Sequence, residues 1–344
     1  MKFFKSDHLS KKIIWLCVVS FVILGLVASG AYAKQPQTSA VKKIESSTSS
    51  SSQSATTTTT TIQISQVANS TPASGASLLG PVNRIQIGST LIGYRQFGTG
   101  PNLILLNDSG ESMDSWGISL LTQLSSSYKV LILDYPGVGY STDNTSVPMT
   151  INWIGSKIIK LVAYLKLSNI NIVGQGFGGE VALEIAESQP KLVNGLILVA
   201  TSPGSPASNL TPSNLSQLLF STTATYVQKY QALFPSTAQS DLTNFLTPSN
   251  QLPIEPILNS TLIRQNQAQS DYISSNKVID SLSVIKAKCL VLVGDKDTIM
   301  PEQDSNLLIS GLSNATKKVL TGFGHALMQQ NPAVFIQNLT SFLN

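Results

Sequence analysis

The sequence predicts an α/β fold in which helices flank a mostly parallel, eight-stranded sheet. Three observations predict it. From residue 84 onward, short β-branched apolar runs alternate with longer segments of helical character. The later runs are continuously apolar, as strands covered on both faces are. The rhythm stops once, between Ser202 and Ser283, and resumes at the run CLVLVG that begins at Cys289. An insertion over an otherwise regular sheet reads in this way.

The candidate strands are residues 84–87, 90–97, 103–106, 129–133, 170–173, 195–200, 289–293 and 317–320. The first two flank the turn Gly88 and Ser89 and predict an antiparallel hairpin. The others are separated by helical stretches such as 151–166 and 181–187, the spacing of parallel strands joined by crossovers. Within the insertion, about 203–283, helical pieces are expected near 214–219 and 225–233, forming a cap over the C-terminal edge of the sheet. Ligand sites in open parallel sheets lie at that edge.

The 344 residues, 42% of them apolar, suffice for one large folded domain, expected over residues 81–344. Residues 1–33 begin with lysines and continue as the uncharged run IIWLCVVSFVILGLVASGAYA, which ends in a small-residue pattern before Lys34. That is an export signal, either cleaved after Ala33 or kept as an anchor, since about 21 residues span a bilayer as a helix. Cleavage is the favoured reading. Either way the rest of the chain is placed outside the cytoplasm, secreted or held by a membrane tether through residues 13–33. Residues 34–80 hold 21 Ser or Thr and too few apolar residues for a core, and read as a disordered linker.

The net charge of +4 comes mostly from four lysines against one aspartate in the first 33 residues. The remainder is close to neutral, so nothing recruits nucleic acid. The two cysteines fall in apolar runs, which argues against a disulfide or a thiolate metal site, and no cofactor motif is present.

Four motifs carry the chemistry: Asp134, Pro136, Gly137, Gly139 and Ser141 in a D-x-P-G-x-G-x-S loop, the segment VGQGFGGEVALEIAESQP, the turn GDKD at 294–297, and GFGHALMQQNP near the end. In this order they resemble the α/β-hydrolase fold family, in its cap-bearing esterase and peroxidase-like branch. The resemblance implies a nucleophile elbow of the form G-x-S-x-G, a strained turn that lifts a serine above the sheet. Here the turn reads Gly174, Gln175, Gly176, Phe177, Gly178, so Gly176 stands at the nucleophile position and the hydroxyl is absent. No acyl-enzyme can form there.

The resemblance also assigns His325 and Asp297 as the remaining catalytic pair, with Asp295 capping the turn, and Ser109 and Phe177 as the residues whose backbone N–H groups form the oxyanion hole. Where the family has His-Gly after the third strand, this chain has Asn107 and Asp108, a carboxylate that opposes an oxyanion. Ser109, Ser112 and Ser141 lie in loops, not on an elbow. Three readings follow. The chain is a non-hydrolytic member that binds a small molecule in its cleft; or it is an atypical hydrolase or a lyase in which His325 and Asp297 act as a general-base dyad with no covalent intermediate, a water being able to fill the space at Gly176; or Asp108, Glu111 and His325 form a new acid/base or nucleophilic set.

Overall fold

A computed structural model of the chain describes residues 79–208, 211–255, 257–275 and 281–344. The export signal and the linker expected over 34–80 lie outside the described residues, except for Leu79 and Gly80. Leu79 is already fully buried. Among the described residues, no helix is long and apolar enough to cross a membrane.

The eight strands are β1 (Asn83–Ile87), β2 (Thr90–Phe97), β3 (Asn102–Leu106), β4 (Lys129–Leu133), β5 (Ile170–Gln175), β6 (Val193–Val199), β7 (Lys288–Gly294) and β8 (Ala315–Leu320). They form one sheet in the order β1-β2-β4-β3-β5-β6-β7-β8. β1 and β2 make the antiparallel hairpin, β2 meets β4 antiparallel, and every other pairing is parallel. Each expected strand is present, with ends shifted by at most a few residues. The hydrophobic pattern fixes a strand's centre better than its ends, where the ladder frays.

Successive residues of a strand point to opposite faces, so each buried strand feeds two cores. Ile104 and Leu106 join one with α2 (Ile151–Tyr164) and α3 (Phe177–Ser188). Leu103 and Leu105 join the other with α1 (Ile118–Ser125). Thr150 starts α2, its hydroxyl accepting from the N–H of Trp153 at 3.0 Å. Between β6 and β7 the chain forms α4 (Ser213–Leu219), α5 (Tyr226–Leu233), α6 (Gln239–Phe245) and α7 (Asn259–Ser275). These are the helices of the expected cap. After β7 come α8 (Glu302–Gly311), α9 (Leu327–Gln330) and α10 (Pro332–Leu343).

The register places the site. β3 and β5 are parallel neighbours with Leu106 opposite Gly174, so residues two beyond each, Asp108 and Gly176, emerge side by side at the C-terminal edge. α3 starts one residue after Gly176 and packs directly on the end of β3. A methyl group at Gly178 would collide with the carbonyls of Leu106 and Asn107. Backbone atoms locked in a parallel ladder cannot move aside cheaply. The substitution Gly178→Ala is therefore expected to lower stability by about 1–3 kcal/mol or more, read as a lower denaturant midpoint at an unchanged slope.

Candidate functional site

Four loops at that edge each deliver one group. Gly176 lies between β5 and α3 with φ 50° and ψ −118°, in the left-handed half of backbone space that side chains disfavour. Its N–H donates to the carbonyl of Val199 at 3.0 Å, and its own carbonyl accepts from the hydroxyl of Thr201. The turn is thus held by the end of β6 and by Thr201 just beyond it, without help from any side chain of its own.

Asp297 follows β7. One of its oxygens, Oδ1, accepts from the N–H groups of Ile299 and Met300, both at 2.9 Å. That fixes the carboxylate so that Oδ2 lies 2.9 Å from Nδ1 of His325, which follows β8. Asp295, on the same turn, accepts from the N–H of Gly322 at 2.6 Å and is not part of the cluster.

The third partner of His325 is Asp108. Its Oδ2 lies 2.9 Å from Nε2 of His325. Its Oδ1 accepts from the N–H of Ser109 at 2.7 Å and from that of Phe177 at 2.9 Å. The two N–H groups expected to form an oxyanion hole do converge on one oxygen, and that oxygen belongs to the chain itself. A carbon added at Gly176 would collide with all three carboxyl atoms of Asp108. The space above Gly176, which the general-base reading left open to a water, is therefore filled by a carboxylate. The two departures expected from the sequence thus meet at one place: Gly176 leaves the room that the Asp108 side chain takes.

The Asp108 loop is anchored from below and above. The hydroxyl of Tyr135 donates to the carbonyl of Asn107 at 2.8 Å, and the N–H of Gly110 donates to Oε1 of Gln265 on α7 at 2.9 Å. Neither anchor was legible in the sequence, because both contacts are between residues remote in the chain. The D-x-P-G-x-G-x-S loop supports the same region. Asp134 accepts from the N–H groups of Met113 and Tyr140, and the Ser141 hydroxyl donates to the Asp134 carbonyl, so both residues are structural.

Charge decides the protonation state. Burial alone would lower the pKa of His325, but the anions Asp297 and Asp108 and their hydrogen bonds outweigh it and raise the value to about 10. At neutral pH the imidazole is a cation between two carboxylates. A base must first lose its proton, so His325 in this state is an acid. Glu111 lines the same cleft, accepting from the Tyr230 hydroxyl of α5 at 3.1 Å, and burial pushes it up to about 7. The cleft, of about 50 Å³, is lined by polar residues that include Asp108, Glu111 and Gln269 and by apolar residues that include Leu219, Phe220 and Met300.

The family model described as alpha/beta hydrolase fold matches residues 101–332. The chain belongs to this family. Among curated α/β hydrolases it is 28% identical over 255 residues to the "Putative carbamate hydrolase RutD" of Pseudomonas syringae pv. syringae, covering 72% of this chain and 96% of the relative. It is 23% identical over 262 residues to a pimeloyl-[acyl-carrier protein] methyl ester esterase of Aeromonas hydrophila, covering 73% and 99%. Among solved structures, an alpha/beta hydrolase fold protein from Chitinophaga pinensis superposes with a TM-score of 0.66 at 19% identity, covering 78% of this α/β hydrolase and 98% of that chain.

A histidine whose folded pKa lies above its unfolded value of about 6.5 stabilises the fold fully below that pH, and the contribution is lost as pH rises through the folded value. For His325 the loss runs from about 6.5 to about 10. NMR titration of the imidazole is expected to show a protonated ring at pH 8, and Asp108→Asn to lower its pKa by about one unit or more. A ring in the intact chain that titrates near 6.5 contradicts the ion pair.

Proposed function

We propose that this α/β hydrolase does not hydrolyse esters through a serine acyl-enzyme, and that its cleft is an extracytoplasmic binding site for a small molecule, built around the Asp108–His325 ion pair. The reading rests on one observation: the carboxylate of Asp108 occupies both the space above Gly176 and the two N–H donors that an ester's developing oxyanion needs. With Gly176 at the nucleophile position there is no hydroxyl to acylate. With Asp108 in place, a substrate carbonyl has nowhere to put its charge. The relatives named as an esterase and a carbamate hydrolase support an ester-like ancestry for the cleft.

The general-base alternative, in which His325 and Asp297 activate water unaided, is disfavoured by the proton that His325 holds at neutral pH. The mix of apolar residues such as Leu219, Phe220 and Met300 with hydrogen-bonding groups such as Glu111 and Gln269 suits a small ligand with both an apolar and a polar part. The export signal of residues 1–33 supports a site outside the cytoplasm.

The test is p-nitrophenyl acetate hydrolysis by the full chain. The wild type is expected to match the buffer blank. In a serine protease, loss of the serine costs about a millionfold in turnover, so little else is left to detect. Gly176→Ser alone is expected to gain nothing, because the new side chain meets Asp108. Gly176→Ser combined with Asp108→Gly vacates the hole and is expected to gain activity of about 100-fold or more over wild type, a single oxyanion donor alone being worth that much. Turnover by the wild type that disappears in His325→Ala overturns the reading.

A further inference from the structure

A second hollow, of about 560 Å³ against about 50 Å³ for the cleft beside Asp108, lies where the start of α1, the end of α6 and the link between α9 and α10 meet. It is an open groove, and its volume falls within the roughly 300–1,000 Å³ of small-molecule sites. We propose that this groove is a separate binding site for one uncharged sugar ring, free or as a unit of a longer chain. The proposal does not depend on what the cleft binds.

The walls select the class of ligand. Among the described residues that line the groove, Asp241 is the only charged one, so no cation is present to hold a phosphate or a carboxylate. Asp241 itself is partly open to water, where a carboxylate attracts a cation only weakly but still accepts from a hydroxyl. The remaining polar lining is amides and hydroxyls, among them Asn244, Ser249, Asn250 and Gln330.

Two of those amides are held by backbone groups at both ends. Oδ1 of Asn250 accepts from the N–H of Ser119 at 2.7 Å, and its Nδ2 donates to the carbonyl of Phe245 at 3.1 Å. Oε1 of Gln330 accepts from the N–H of Gly324 at 3.0 Å, and its Nε2 donates to the carbonyl of Gly322 at 2.9 Å. A side-chain amide has two N–H donors and an oxygen with two lone pairs. Each of the two therefore keeps one donor and one acceptor for a ligand, on a group whose position is already fixed. A hydroxyl both donates and accepts, and matches such a pair. An ionised carboxylate only accepts, and an ammonium only donates. A sugar carries several hydroxyls on one rigid ring, and Ile118 and Pro332 offer apolar surface to its C–H face. Because both partners are ordered before they meet, little conformational entropy is lost on binding.

The groove and the cleft share a wall. Gln329, 6% exposed, lines both, and its Nε2 donates to Oε1 of Gln175, beside Gly176, at 3.4 Å. Phe245 lines the groove and stacks on Tyr230, which lines the cleft. Asp108 and Glu111 line the cleft and not the groove, so a sugar in the groove touches the wall without meeting the ion pair.

The test is an NMR titration of the nitrogen-15-labelled full chain with the methyl glycosides of glucose, galactose, mannose and N-acetylglucosamine. At least one is expected to shift the side-chain amide signals of Asn250 and Gln330, with a dissociation constant of about 1–10 mM, as befits a ligand of this size in an open site. Tetrahydropyran-2-methanol, the same ring with a single hydroxyl, and glucuronate, which adds a carboxylate, are each expected to bind about tenfold more weakly or worse. Asn244→Trp and Ser249→Trp fill the groove from exposed positions, and each is expected to weaken binding about tenfold or more while leaving the signals of the buried core in place. A trisaccharide of the sugar that binds distinguishes the source: affinity at least equal to that of the glycoside supports a unit within a chain, and lower affinity supports the free sugar. No shift at the two amides with any glycoside up to about 100 mM overturns the proposal, and this measurement does not depend on whether a variant folds. Shifts centred on Gly110 and Glu111 place the sugar in the cleft and overturn it too, as does undiminished binding by both tryptophan variants.

Discussion

Two carboxylates, Asp297 buried and Asp108 partly open to the cleft, hold one imidazole between them, and the site's chemistry depends on that arrangement. Asp297 and Asp108 sit 2.9 Å from opposite nitrogens of His325, a residue removed from water. An imidazole so placed would be neutral if unpaired, because burial disfavours its cation. Two anions reverse the sign. The anions in turn are held by backbone N–H groups, two on each carboxylate. Removing one member leaves a buried charge without its partner, which costs far more than the pair contributes.

The scaffold makes this possible through close approach. Parallel pairing of β3 with β5 brings the two following loops together, and Gly178 lets α3 press against the end of β3. The N–H of Phe177, the first residue of α3, is then aimed at whatever leaves β3, as are the unpaired N–H groups at any helix start. In this chain that is Asp108. The bare α-carbon of Gly176 supplies the room, and its positive φ keeps the tight turn.

The cap is part of the same construction. The ring of Tyr230 stacks on Phe245 with centroids 4.8 Å apart and tilts against Tyr226 at 4.4 Å, while its hydroxyl reaches Glu111 on the core. Gln265 of α7 takes the N–H of Gly110. The helices that cover the cleft therefore also fix the loop that carries Asp108, and the shape of the cavity is coupled to the position of the carboxylate.

The sequence by itself determined the class of fold, all eight strands, the place of the cap, and the positions of Gly176, Asp297 and His325. These follow from local pattern: runs of apolar residues announce buried strands, and the glycine-rich and acid-bearing turns follow them at short range. It also showed that Asp108 stood where a carboxylate opposes an oxyanion. Only the tertiary structure decided what that meant. Whether Asp108 points away from the N–H groups or into them depends on the register of β3 against β5, on the hydroxyl of Tyr135 and on a glutamine from the cap more than 150 residues away. Those contacts join residues far apart in the chain, so no local pattern encodes them, and the bare Gly176 was visible in the sequence before the carboxylate that fills the space above it.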